Sequence, residues 1–177
     1  RALVAYPSFD NIIFVRGVVS SAEFDALSAD PNQPLFNRAI LGTYPSGSTI
    51  KPVVAAAGLQ EEIITPQTAV LSVGGLAVGE WFFPDWKSGG HGLVNVTRAL
   101  AESVHTFFYI VGGGYGERKG LGIEKLAGYL REFGFGAPTG IELAGEAAGL
   151  VPTPEWKKQI KNENSNAKSA TVRVLGL

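Results

Sequence analysis

A chain of 177 residues with 45% hydrophobic and 18% charged side chains has the composition of one globular domain or a large piece of one, not of a disordered segment. A net charge of −1 gives no electrostatic footprint for a nucleic acid or an anionic membrane surface. The absence of cysteine removes disulfides and thiolate metal sites, and no apolar run approaches the ~20 residues of a membrane span. The chain opens on Arg1 inside an apolar segment and contains no methionine, so it reads as a fragment or a processed piece.

In chain order, Ala2–Tyr6 reads as a short strand ended by the turn chemistry of Pro7-Ser8-Phe9-Asp10-Asn11. Ile12 to Val19 is apolar, interrupted by Arg16 and Gly17, after which Ser20 or Ser21 with Glu23 predicts the cap of a helix through Leu27. A Pro-rich loop at 30–34 leads to Tyr44-Pro45-Ser46-Gly47-Ser48-Thr49-Ile50-Lys51-Pro52, and the following apolar run predicts a core helix from Ser48 to Glu61 or Glu62. Gln67 to Gly79 is strand-like, Glu80 to Trp86 is aromatic, and Lys87 to Gly92 is a loop. One helix is expected from Asn95, with Leu100, Val104, Phe107, Phe108 and Val111 near helical spacing. Another runs from Gly122 to Phe133, with Ile123, Leu126, Leu130 and Phe133 on one stripe. Glycine-rich turns follow, and Pro154 opens a last helix, suiting proline at a first turn.

The chemistry centres on Ser48-Thr49-Ile50-Lys51. In a helix that begins near Ser48, residues three apart share a face, so the Ser48 hydroxyl can reach the Lys51 amine. A lysine kept neutral by burial can take the proton of a serine and make it a nucleophile. Free N–H groups at a helix start favour negative charge developing beside it. Ser-x-x-Lys alone is short enough to recur by accident, and its plain alternative is a capped helix with a solvated lysine. Ser103-Val104-His105 is a second serine followed two positions on by a polar residue, and alone it is ordinary.

Ordered blocks on both sides give these residues their context. Tyr6-Pro7-Ser8-Phe9-Asp10, the Tyr44–Pro52 block, Asp85-Trp86-Lys87-Ser88-Gly89-Gly90-His91-Gly92 and Asn95–Leu100 come first. Glu102–Tyr109, Phe133–Leu143 and Thr153–Lys157 follow. Together they resemble the transpeptidase domain of class B penicillin-binding proteins, of the cell-elongation type. The resemblance implies a penicilloyl-serine-transferase fold of the α+β class, an antiparallel sheet flanked by helices and here incomplete. Residues 1–163 would be the transpeptidase portion and 164–177 a tail resembling a shortened Lys-Thr-Gly strand. That family uses Ser-x-x-Lys, Ser-x-Asn or Ser-x-Asp, and Lys-Thr-Gly. The first falls on Ser48 and Lys51. The second falls on Ser103 and His105, with histidine in place of the usual Asn or Asp. The third falls on Lys168, Ser169 and Thr171, with Ala170 in place of glycine.

By resemblance, Ser48, Lys51 and Ser103 are catalytic, while His105, Lys168, Ser169 and Thr171 bind substrate. The substrates would be peptidoglycan stem peptides ending in D-Ala-D-Ala, with β-lactams as mimics and a glycosyltransferase as a partner of the parent protein. No nucleic acid and no cofactor are implied, and the place of action would be the outer face of the cytoplasmic membrane. Elongation-type members can carry a metal near Asp85 and His91. One carboxylate and one imidazole fall short of the four ligands of a structural zinc, so these residues read as loop packing and no metal is expected. The competing reading is a truncated, inactive homologue acting as a binding module or remnant. A Ser-x-x-Lys β-lactamase or carboxypeptidase fits the blocks less well.

Overall fold

A computed structural model describes residues 2–15 and 17–163. The chain divides into two units, Arg1–Tyr44 with Ala137–Gly149, and Pro45–Gly136 with Leu150–Leu177.

In the first unit, Ile12–Val15 forms a single turn (α1) and Ser21–Ala29 forms α2. Ser20 caps α2 as expected: its hydroxyl accepts from the Glu23 N–H while the Glu23 carboxylate reaches back to Ser20. The Arg38 guanidinium ties the following loop by donating to the carbonyls of Asn32 and Gln33 at 2.7 and 3.1 Å. The Ala147 N–H donates to the Ile40 carbonyl at 2.8 Å, which joins 137–149 to this unit. Ala2–Tyr6 is not a strand. No ladder partner lies beside it among the described residues, and an extended segment without one has nowhere to place its backbone hydrogen bonds.

The second unit is built on three packed helices. Gly47–Ile50 is a 3₁₀ turn that runs into α3, Lys51–Gln60, so the expected helix begins with a tighter turn and Pro52 sits in its first α turn. Small residues let α3 lie deep: Val53, Val54, Ala55, Ala57 and Gly58 are all buried. Gly58 faces α5, His105–Gly113, so closely that a Cβ there would meet Val111 Cγ1 at 2.7 Å. Phe107, Phe108, Ile110 and Val111 of α5, and Leu126, Ala127 and Leu130 of α6 (Gly122–Glu132), complete one apolar core with α3. At the surface Glu61 receives hydrogen bonds from Lys125 and Tyr129, joining the end of α3 to α6. Pro154–Glu163 forms the last helix, α7.

The stretch read as one strand region from Gln67 to Gly79 contains two strands that belong to different ribbons. β1, Val70–Ser72, pairs antiparallel with β4, Gly92–Val94, in the register Val70↔Val94 and Ser72↔Gly92. β2, Gly75–Val78, pairs antiparallel with β3, Trp81–Pro84. Gly79, with φ +59, occupies the first turn position of that hairpin, where a left-handed residue is needed. The described strands form two two-stranded antiparallel ribbons, the small sheets of an α+β fold.

The single helix expected from Asn95 through Val111 is also two helices. α4, Val96–Ala101, is capped by Asn95, and α5 begins only at His105. Between them the Val104 N–H returns to the Ala99 carbonyl at 2.9 Å and the Ser103 N–H to the Leu100 carbonyl at 3.3 Å. This is the Schellman pattern, with Ser103 in the left-handed position that glycine normally fills, at φ +53. Helical spacing continues across the break, which is why periodicity alone missed it.

Candidate active site

The 3₁₀ turn presents Ser48 to solvent, while Lys51, one turn later, is 2% exposed. The break between α4 and α5 carries Ser103 to the same place. Ser48 Oγ and Ser103 Oγ share a hydrogen bond of 2.8 Å. Lys51 Nζ donates to Ser103 Oγ at 2.9 Å and to the Ser103 carbonyl at 2.8 Å. The amine thus connects to Ser48 through Ser103, not along its own helix as spacing suggested. Its other face looks onto the Phe108 ring, 5.4 Å from the centroid. Burial pushes the Lys51 amine down from its ordinary 10.5 to about 8, with the negative charge of Asp85 pulling part of the way back.

The left-handed backbone of Ser103 costs about 1–2 kcal/mol in a non-glycine residue. What it obtains is geometric: carbonyl and hydroxyl of one residue both face Lys51, while the hydroxyl still touches Ser48. A glycine would satisfy the turn better and supply no hydroxyl.

His105 opens α5 half-buried, its ring edge-on to Tyr109 with centroids 6.1 Å apart. Burial, and then the nearby Lys51 charge, lower its pKa, while Asp85 and the Pro84 carbonyl act the other way. An imidazole held toward its neutral form keeps one donor and one acceptor nitrogen. Lys168, Ser169 and Thr171 lie outside the described residues.

Behind the serines sits a second polar cluster, whose contribution the sequence left unrecognised. The Asp85 carboxylate accepts five hydrogen bonds, from Ser72 Oγ, Thr106 Oγ1 and the N–H groups of Trp86, His105 and Thr106, at 2.8–3.2 Å. Burial opposes its charge, but the Thr106, His105 and Ser72 donors outweigh it and hold the carboxyl at about 2. His91 Nδ1 lies 2.7 Å from Glu102 Oε2, while Nε2 is buried without a hydrogen bond, 3.5 Å from Asp85 Oδ1. Arg98 first, then His91, draws the Glu102 carboxyl down to about 2. These residues do not fit a structural metal. The Asp85 oxygens already face N–H and O–H donors, Val104 brings no ligand, and no group of three or more His, Cys, Asp or Glu is gathered to hold an ion among the described residues. No local signal in the sequence points to this cluster: only the structure shows that α5 starts after Val104, without a cap of its own, and so takes an acceptor from elsewhere.

Comparison with known proteins places this geometry. The family model of the penicillin binding protein transpeptidase domain matches residues 2–172. The chain belongs to that family. It is 46% identical over 160 residues to the peptidoglycan D,D-transpeptidase MrdA of Escherichia coli K12, covering 89% of this chain and 24% of that protein. Thus it spans about a quarter of the length of the curated relatives it matches. Among solved structures, PBP2 of Helicobacter pylori in complex with MreC is 37% identical with a TM-score of 0.81, covering 90% of this chain and 29% of that one. Pseudomonas aeruginosa PBP2, solved in complex with WCK 5153, is 33% identical with a TM-score of 0.78, covering 90% and 35%. The expected family and fold class are borne out.

Proposed function

We propose that this chain is the portion of a peptidoglycan D,D-transpeptidase that carries the acylated serine. The observation that supports it most is the continuous path Ser48 Oγ–Ser103 Oγ–Lys51 Nζ, which ends on a buried amine whose pKa lies at about 8. Roughly a tenth of such an amine is neutral at pH 7, against a few parts in ten thousand for a free lysine.

In this reading Ser48 Oγ attacks the carbonyl carbon of the D-Ala-D-Ala peptide bond in a stem peptide. Its proton passes to Ser103 Oγ as the Ser103 proton passes to the neutral Lys51 amine, which is the general base. Collapse of the tetrahedral intermediate breaks the C–N bond. The proton returns through Ser103 to the leaving D-alanine nitrogen. An amine of a neighbouring stem then attacks the ester, releases Ser48 and completes the cross-link. The Ser48 N–H at the 3₁₀ turn and that of Thr171 would hold the oxyanion; such a donor is typically worth ~10²–10³ in rate. Lys168 and Ser169 would bind the terminal carboxylate, and His105 would hydrogen-bond the substrate in place of the usual amide or carboxylate. The family match extends to residue 172, across these positions. β-Lactams would acylate Ser48 as mimics of the acyl donor. The parent protein would act at the outer face of the cytoplasmic membrane, beside a glycosyltransferase that makes the glycan strands. Among the described residues no helix is long and apolar enough to cross a membrane.

A fluorescent penicillin tests the reading. Covalent labelling of the chain, mapped to Ser48 by mass spectrometry and abolished by Ser48→Ala, is the expected result. Folded protein that takes no label would overturn it and favour an inactive homologue, the reading that His105 and Ala170 otherwise support.

A further inference from the structure

We propose that Asp85 is a positioning residue for the serine pair, acting through the start of α5 to hold Ser103 in its left-handed conformation. This rests on the reading of Ser103 as the link between Lys51 and Ser48.

Ser103 sits between two helix ends, and residues 85–91 grip both. On the α4 side, Trp86 Nε1 donates to the Glu102 carbonyl at 3.0 Å, and His91 Nδ1 meets the Glu102 carboxylate at 2.7 Å. On the α5 side, the first N–H groups have no acceptor from Val104, whose side chain is apolar. The Asp85 carboxylate supplies it, with Oδ1 accepting from His105 N–H and Oδ2 from Thr106 N–H and Thr106 Oγ1. Asp85 is itself anchored in the ribbons, by its N–H to the Gly74 carbonyl at 2.9 Å and by Ser72 Oγ of β1 at 3.1 Å. Ser103 therefore cannot relax toward the ordinary helical region, which would merge α4 with α5, without breaking one of these grips. The carboxylate is the single group that receives both α5 amides, so its two oxygens set where the helix starts.

Asparagine has the shape of Asp85 but offers only one acceptor oxygen, and turns an N–H₂ toward donors on the other side. In Asp85→Asn the acylation rate constant for a fluorescent penicillin is expected to fall about tenfold or more. Non-covalent affinity should change less than twofold, and thermal unfolding should stay cooperative. The midpoint of the Lys51 titration, read by ¹⁵N NMR of its amine, should move down, because the Asp85 charge no longer supports the ammonium. Folded Asp85→Asn protein with the wild-type rate would overturn the proposal. If that variant does not fold, Thr106→Val removes one donor to the same oxygen and keeps the side chain's shape. A several-fold lower rate at unchanged affinity supports the proposal, and a wild-type rate overturns it. Loss of wild-type labelling on chelation, restored by zinc, would also overturn it, since a metal would then be doing the positioning. If wild-type protein takes no label, the functional reading fails separately. The NMR measurement then decides: unchanged Ser103 amide exchange in Asp85→Asn, or in Thr106→Val when Asp85→Asn does not fold, overturns the inference, whereas faster exchange supports it.

Discussion

Lys51 and Asp85 are both buried and both close to the break between α4 and α5, yet their surroundings treat charge in opposite ways. Around Asp85, five donors from three segments converge, and the carboxylate is more stable there than in water even against the cost of burial. Around Lys51, Ser103 supplies both oxygen acceptors and the Phe108 ring lies 5.4 Å from the amine, and burial disfavours the ammonium. Of these two groups, one is held charged by its partners and the other is brought by burial closer to its neutral, proton-accepting form. On the roles proposed above, the same fold separates a group that fixes geometry from a group that takes a proton.

Removing each charge should break this comparison most sharply. Lys51→Met is expected to cost ~10²–10⁴ in acylation rate, the usual worth of a general base, while leaving urea unfolding at pH 7 no less stable than wild type. Asp85→Ala should do the reverse to the fold. It orphans the buried N–H groups of His105 and Thr106, at about 1–3 kcal/mol each, and should shift the urea midpoint down by about 3 kcal/mol in free energy.

The pH dependence sharpens the same contrast at opposite ends of the scale. The Lys51 pKa is lowered from 10.5 to about 8, so the unfolded chain binds more protons in that window and stability rises as pH climbs through it. The rise is about 3 kcal/mol and should vanish in Lys51→Met. Asp85 is lowered from 3.8 to about 2, so its contribution is present above the ordinary value and disappears as pH falls through the folded one. That loss is about 2 kcal/mol. Acylation should follow the neutral amine, rising about tenfold from pH 7 to 9 with a midpoint near 8. A flat profile between those values would separate Lys51 from the proton transfer.

The smallest effect concerns Ser103. Ser103→Ala and Ser103→Gly should both slow acylation by removing the hydroxyl. Glycine, which accepts a φ of +53 without strain, should leave the protein about 1 kcal/mol more stable than alanine does. Equal stabilities would mean that the left-handed serine stores no strain.

Much of this is legible in the sequence alone, though unevenly. The Ser20 capping box and the helices around Leu126 and after Pro154 follow from side chains within a turn of one another and form, although of the stripe expected on α6 only Leu126 and Leu130 are buried while Ile123 and Phe133 stay exposed. Ser48, Lys51 and Ser103 were identifiable from ordered blocks, and the structure brings all three together. The strand at Ala2–Tyr6 and the unbroken helix through Ser103 failed for a common reason. A strand needs a partner and a helix break needs hydrogen bonds from both flanks, and neither is written in hydrophobic spacing.

By itself, then, the sequence singled out the residues proposed to carry chemistry: a serine and a lysine one turn apart beside an apolar run, and a second serine ahead of an aromatic helix. Tertiary structure decided how they connect. It ended α4 at a left-handed Ser103, started α5 on the carboxylate of Asp85, and buried Lys51 against Phe108. Those outcomes depend on groups tens of residues apart satisfying one another's hydrogen bonds away from water, and local propensity carries no record of that.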